Sequence, residues 1–190
     1  MMVADWVVFV EGHDDEHFIR CLLKYMSVAN VDTDRIGGGV SKLPSVAPQI
    51  QRRRDAGACI AVVLDSNSDF SKRRDEFQRC KDQLELPVDR FFLLPNDSDS
   101  GRLETLLEQM AVSDHRIVYD CLKKYEDCLL SNGKYQLPNP KGRIYAYCEA
   151  LKIETRASER NYGDPSYWDL NTPALEPLKR FLRDLQAEEP

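Results

Sequence analysis

The chain has 190 residues and a formal net charge of −6, which indicates one domain of ordinary size with room for a small elaboration. The acidic balance excludes a protein that coats polyanions over its whole surface, although a local basic groove is compatible with it. No apolar run approaches the roughly 20 residues of a membrane helix, and the six cysteines form no C-x-x-C pair, so we expect a soluble, cytoplasmic protein with reduced, buried thiols and no membrane contact.

The first predicted element is a strand at residues 6–10, which carries five consecutive apolar residues. A run without alternation is typical of a strand buried on both faces, as in a parallel sheet. Gly12 allows a sharp turn after this strand, and Asp14 or Asp15 can cap the helix that follows. Because ligands bind beyond the carboxyl ends of the strands in open α/β sheets, Glu11 lies where chemistry is expected.

A helical pattern over residues 17–26 leads to a weaker, polar strand at residues 31–36. The glycines at positions 37–39 follow this strand and permit the backbone to approach another group closely. Lys42 comes next, and residues 43–56 show the pattern of a second helix.

The second clear strand covers residues 59–64 and ends in Asp65, with Asn67 and Asp69 just beyond it. A charged helix at residues 72–84, a strand at 90–95 and a helix that opens at 103–107 follow. Strand and helix thus alternate to about residue 110, which is typical of βαβ units.

The second half of the chain has a helical pattern, at residues 117–130, 144–153 and 175–185. We therefore predict an α/β core in residues 1–112 and a helical C-terminal elaboration in residues 113–190, with the last helix packed back on the core as part of one structural unit.

Oxygen-bearing side chains follow both clear strands and open one later helix: Glu11, Asp65, Asn67, Asp69 and Glu104. Carboxylate and amide oxygens are the ligands of Mg²⁺ or Mn²⁺. A single acid at such a place commonly caps a helix, and Glu104 fits equally well an ordinary first-turn acid favoured by the helix dipole. Two strand ends with a nearby triglycine favour a metal site.

Two other metal motifs are formally present. Residues 13–17 spell the inverted zincin pattern H-x-x-E-H, but a glycine turn from a buried strand directly precedes them, which disfavours a protease helix. Residues 65–69 imitate the start of a calcium loop, but Phe70 stands where that loop needs glycine.

The order of the acidic motifs resembles the Toprim domain, which is shared by bacterial primases, topoisomerases, small ribonucleases and OLD-type nucleases. In that family a first strand ends in Glu-Gly and a later strand ends in Asp-x-Asp. Glu11 and Gly12 match the first motif and Asp65 matches the start of the second. Asn67 replaces the second acid and removes one negative charge from the implied site, unless Asp69 compensates.

The resemblance is greatest to small standalone Toprim-like proteins of unknown function related to the OLD group. Further shared segments span nearly the whole chain: the glycine-rich turn 37–42, Pro-Asn at 95–96, Gly-x-Leu-Glu at 101–104, aromatic-Asp-Leu at 168–170 and Leu-Lys-x-Phe-Leu at 178–182.

This resemblance implies a three-layer, Toprim-like (Rossmann-like) α/β fold with a mainly parallel sheet. It implies Mg²⁺-dependent (or Mn²⁺-dependent) cleavage of phosphodiester bonds in DNA or RNA, in a setting such as phage defence or DNA repair. Glu11 and Asp65 would be catalytic residues and metal ligands, with Asn67, Asp69 and Glu104 as further ligands. Lys42, as a third catalytic residue, and Arg102 are candidates for phosphate contact, although each could simply be a solvated charge.

The alternative is a non-catalytic Toprim-like module that binds a partner such as a separate ATPase, because the sequence has no G-x-x-x-x-G-K-[ST] loop of its own. Primase or topoisomerase activity is disfavoured by the lack of zinc-ribbon cysteines. Aromatic residues near the basic segment 141–143 could hold single-stranded nucleic acid, and core packing explains them equally well. The sequence does not indicate an oligomeric state.

Overall fold

The computed structural model describes residues 6–187, which form an α/β fold. The described chain contains four β-strands and seven α-helices. The strands are β1 (Trp6–Val10), β2 (Val31–Arg35), β3 (Cys59–Asp65) and β4 (Arg90–Leu94). The helices are α1 (His13–Tyr25), α2 (Leu43–Asp55), α3 (Phe70–Gln83), α4 (Leu103–Met110), α5 (Arg116–Asn132), α6 (Pro140–Leu151) and α7 (Glu176–Ala187).

The four strands form one parallel sheet in the order β2-β1-β3-β4. β1 therefore lies in the interior, with β2 on one side and β3 on the other. Trp6 is in register with Cys59 and Val10 with Val63. As a result, the residues that follow β1 and β3 emerge next to each other at the carboxyl edge of the sheet.

Helices cover both faces of this sheet, because successive residues of a buried strand point to opposite sides. Val7 and Phe9 of β1 pack in a cluster with buried residues of α2 and α3. Val8 and Val10 pack on the other face with α1, α4, α6 and α7. The prediction of a three-layer α/β fold with a parallel sheet is confirmed.

The C-terminal helices share a hydrophobic cluster with the sheet. Trp168 is buried in it, and a single antiparallel bridge joins Trp168 to Ala111 at the end of α4. The ring of Phe181 in α7 lies 5.1 Å from that of Phe92 in β4. The division at residue 112 stays a prediction, and the outermost parts of the two predicted ranges, 1–5 and 188–190, lie outside the described residues.

All six cysteines are free. Cys59 and Cys148 are buried, as expected for apolar surroundings, but Cys121 and Cys128 are exposed on α5, so the prediction of buried thiols is wrong for these two. Helix α5 contacts mainly α6 and leaves these positions uncovered. Within residues 6–187, none of the helices combines the length and the apolar character needed to span a bilayer.

Candidate functional site

The carboxyl ends of β1 and β3 bring Glu11 and Asp65 together. The backbone N–H of Asp65 donates a hydrogen bond of 3.1 Å to Oε1 of Glu11. Oδ1 of Asp65 in turn accepts a 3.0 Å hydrogen bond from the backbone N–H of Leu103, the first residue of α4. The positive end of the α4 dipole therefore faces the Asp65 carboxylate, which is a favourable place for a negative charge.

Asp15 is a third acid at this edge, and the sequence pattern assigned it no more than a capping role. Helix α1 begins at His13, four residues earlier than the apolar pattern indicates, because Asp14, Asp15 and Glu16 in its first turn complement the helix dipole. Oδ2 of Asp15 accepts a 3.0 Å hydrogen bond from the backbone N–H of Gly12. The signal that could have identified Asp15 is its position as the acid that reaches back to a helix N-terminus.

Glu104, in the first turn of α4, completes a group of four acids that we call the carboxylate cluster: Glu11, Asp15, Asp65 and Glu104. Glu104 is 7% exposed, and its carboxylate accepts no hydrogen bond from the residues that the structure describes. Burial and the negative charges of Glu11 and Glu104 raise the pKa of Asp15 to about 6. Burial, followed by the charges of Asp15, Glu11 and Glu104, raises the pKa of Asp65 well above its ordinary value.

Among the residues that the structure describes, one cationic side chain contacts this cluster. The Nη2 atom of Arg73, from α3, lies 3.1 Å from Oε1 of Glu11, and its Nε donates a 2.9 Å hydrogen bond to the backbone carbonyl of Asp65. Burial nevertheless outweighs the Arg73 guanidinium and raises the pKa of Glu11. Asp15, Asp65 and Glu104 have no salt bridge with a residue in the described part of the chain, so their mutual repulsion is only partly compensated.

The triglycine makes room for this arginine. A Cβ atom on Gly39 would lie 2.7 Å from Nη2 of Arg73, closer than a methyl group and a guanidinium can approach. The backbone of Gly39 itself is ordinary, with φ of −74°. The glycine is therefore needed for the close approach of Arg73 and not for the backbone conformation.

We expect Arg73→Gln to strengthen Mn²⁺ binding by about tenfold, because it removes one partly screened positive charge beside the carboxylate cluster. Gly39→Ala should change the affinity in the same direction by displacing the guanidinium. Calorimetric titration with Mn²⁺ measures both effects. Arg73→Lys, which keeps the charge, and Arg79→Gln, on an exposed part of the same helix, should bind as the wild type does. Weaker binding by Arg73→Gln would show that Arg73 supports the site instead of competing with the ion.

Two predicted ligands have local structural partners. Oδ1 of Asp69 accepts a 2.9 Å hydrogen bond from the backbone N–H of Lys72 and thereby caps α3. Asn67 has a left-handed backbone with φ of 59°, which asparagine tolerates better than most residues. Both line a neighbouring cleft of about 170 Å³ together with Arg73. Their role as metal ligands stays a prediction.

The two predicted phosphate contacts are exposed. The Lys42 side chain lies over Gly38 in the turn after β2. Arg102 precedes α4, and its charge lowers the pKa of Glu11, which places it within electrostatic reach of the carboxylate cluster. Lys42 makes no hydrogen bond or salt bridge with the four acids in the described structure, so its catalytic role also stays a prediction.

The carboxylate cluster has the chemistry of a site for a hard divalent cation. All four side chains offer oxygen ligands, and a bound cation would offset the repulsion between their negative charges. In residues 6–187 no group of three or more acid, histidine or cysteine side chains is placed so that it could hold a metal ion. The carboxylates of Glu11, Asp15, Asp65 and Glu104 would therefore have to come closer together to hold an ion. His17 of the zincin-like motif contacts the backbone carbonyl of Arg160 at 2.8 Å instead of facing the cluster.

In a comparison with known protein families, the model of a family described as a protein of unknown function (DUF3226) matches residues 5–187. No curated protein and no solved structure matches the chain.

Proposed function

We propose that this chain, which belongs to the DUF3226 family, is a Toprim-like nuclease that cleaves phosphodiester bonds of DNA or RNA with the help of Mg²⁺ or Mn²⁺. The observation that carries the proposal is the carboxylate cluster at the carboxyl edge of a parallel sheet, in which three of the four acids have a raised pKa. Groups of acids with raised pKa values in such a place are typical of functional sites.

The proposal assigns roles to the residues according to their contacts. Glu11 and Asp65 would hold the ion between the ends of β1 and β3, and Asp15 and Glu104 would complete its oxygen ligands. When bound, Mg²⁺ supplies charge stabilisation at the scissile phosphate and lowers the pKa of a water molecule. Arg102, at the start of α4, would contact a phosphate oxygen beside the cluster, as arginine commonly does.

A cleavage assay tests this proposal. Single- and double-stranded DNA and RNA are incubated with the protein in Mg²⁺ or Mn²⁺, and the wild type is compared with Glu11→Ala and Asp65→Ala. We expect metal-dependent products that both variants fail to form. Asp120→Asn, on the exposed side of α5, removes an acid elsewhere and should cleave as the wild type does. Equal cleavage by the wild type and both site variants would identify a contaminating nuclease and contradict the proposal.

A second candidate function, a non-catalytic module for a partner such as a separate ATPase, is favoured by helix α5. No residue of this 17-residue helix is buried, and Ile117, Tyr125 and Leu130 are exposed on it. Exposed apolar residues at this density are typical of interaction surfaces. Co-purification of an ATPase that is lost on Tyr125→Lys, with no cleavage by the wild type, would support this function over the nuclease.

A further inference from the structure

The first turns of α6 form one wall of a small cavity beside the carboxylate cluster. The cavity has a volume of about 10 Å³ and is lined by Glu104, Lys141, Tyr145 and Asp14, among others. That volume holds about one water molecule. Nζ of Lys141 lies 3.4 Å from Oδ2 of Asp14, in the first turn of α1. Helix α6 thus brings a cation and an aromatic ring to the same opening.

Glu104 is the acid of the carboxylate cluster that lines this cavity. The residue is 7% exposed, and none of the described residues donates a hydrogen bond to its carboxylate, whose oxygens still reach solvent through the opening. Burial lowers the pKa of the Lys141 ammonium, but the negative charges of Asp14 and Glu104 outweigh this effect and raise it, so Lys141 stays protonated at neutral pH. The Lys141 side chain is 58% exposed, so its ammonium group is open to a ligand at this edge of the carboxylate cluster.

Tyr145 lies one helical turn after Lys141 and lines the mouth of the cavity. Its side chain is 44% exposed, and its ring makes no contact with another ring in the part of the chain that the structure describes. By contrast, Tyr147 and Tyr162 are buried, and their rings pack at a tilt against the ring of Trp168. Core packing therefore explains those two tyrosines and leaves Tyr145 without a packing role.

We propose that Lys141 and Tyr145 form a binding platform for single-stranded nucleic acid, with a backbone phosphate on Lys141 and the adjacent base stacked on the Tyr145 ring. Residues four apart on a helix have Cβ atoms about 5–6 Å apart, which suits a phosphate and a neighbouring base of the same strand. A duplex keeps its bases inside the stack, so it offers phosphates to Lys141 but no free base to Tyr145. This inference rests on the proposed function, because the strand would lead its next phosphodiester to the carboxylate cluster.

Fluorescence anisotropy with a labelled 12-nucleotide DNA tests the platform, with Ca²⁺ in place of Mg²⁺ and a gel to show that the probe stays intact. We expect the wild type to bind the single strand more tightly than the blunt duplex of the same sequence. Tyr145→Ala should weaken single-strand binding by roughly tenfold, as expected for one lost base stack, and should leave duplex binding unchanged. Tyr145→Phe keeps the ring and should bind as the wild type does. Tyr135→Ala removes another exposed tyrosine, in the connection before α6, and should have no effect.

Lys141→Ala provides a separate measurement. It should weaken the binding of both forms and reduce the slope of log K against log salt by about 0.7 for the single strand, the value for one phosphate contact. Equal affinity of wild type and Tyr145→Ala, a preference for duplex, or no binding of either probe would overturn the inference. Metal-dependent cleavage together with unchanged binding by Tyr145→Ala would contradict the platform alone. Loss of binding in Tyr145→Ala without any cleavage by the wild type would contradict the nuclease and leave the platform standing.

Discussion

Asp15→Asn is expected to make the metal-free protein more stable at pH 8, by about 3 kcal/mol or roughly 6–10 °C in Tm. The reason is that burial of the Asp15 carboxylate, together with the negative charges of Glu11 and Glu104, raises its pKa from 3.8 to about 6. Asparagine removes the charge and can still accept the hydrogen bond from Gly12 through its amide oxygen. Thermal unfolding in EDTA, followed by circular dichroism, measures the change.

The pH dependence of stability should follow from the same shift. Between pH about 4 and 6 the folded state binds a proton at Asp15 that the unfolded state has released. The stability that this proton contributes is fully present below pH 4 and is lost as the pH rises through about 6. The wild type in EDTA should therefore be less stable at pH 8 than at pH 5 with respect to this group, and Asp15→Asn should reduce that difference.

Added Mg²⁺ should restore the stability that the wild type loses at pH 8 because the Asp15 carboxylate is ionised. An ion in hundredfold excess over its Kd stabilises a folded protein by about 2.7 kcal/mol, and we expect this gain in the wild type but much less in Asp15→Asn. At pH 5 protons compete for Asp15 and Asp65, so the gain should shrink there. Asp14→Asn is the matched control, because it removes an acid from the same helical turn whose carboxylate pairs with Lys141. If the Tm of Asp15→Asn were instead lower than that of the wild type, by the amount expected for the loss of a helix cap, the prediction that the carboxylates of the cluster repel one another would be wrong.

The sheet was predictable because each of its two inner strands contains an unbroken run of apolar residues. β1 and β3 each show five or more consecutive apolar residues, and a strand with no polar side must be covered on both faces. Once both strands are parallel, Glu11 and Asp65 must follow them at one edge. The position of these two acids is therefore determined by short-range patterns and by the topology of βαβ units.

The contacts of the cluster were not predictable in the same way. Arg73 lies in a helix whose composition is strongly charged, and nothing in that pattern distinguishes the one arginine that turns inward from Arg74, which pairs with Asp97 instead. The glycine at position 39 points to Arg73 and not to Arg74 only once the structure shows how closely Arg73 approaches it. Asn67 and Asp69 illustrate the opposite case, because residues with a plausible ligand spacing also meet the needs of a turn and a helix cap.

Trp168→Ala is expected to destabilise the whole fold by about 4 kcal/mol, or roughly 12 °C in Tm, the range found when a large buried aromatic side chain is truncated. Trp168 is 1% exposed and packs against Tyr147 and Tyr162 in the cluster that also contains side chains of β1, β3 and β4. Because that cluster is continuous, unfolding by urea should remain a single transition when followed by circular dichroism. Two transitions would show that the C-terminal helices unfold separately from the sheet.

Trp168→Phe and Tyr135→Ala are the controls for the expected loss of stability in Trp168→Ala. The indole Nε1 of Trp168 is buried without a hydrogen-bond partner in the described structure, so phenylalanine removes an unsatisfied donor while it keeps an aromatic ring, and we expect a loss of less than about 1.5 kcal/mol. Tyr135 is 61% exposed and should change stability by less than about 0.5 kcal/mol. If Trp168→Ala behaved like Tyr135→Ala, packing around Trp168 would contribute nothing to the stability of the sheet, and α6 could not be a fixed wall of the cavity beside the carboxylate cluster.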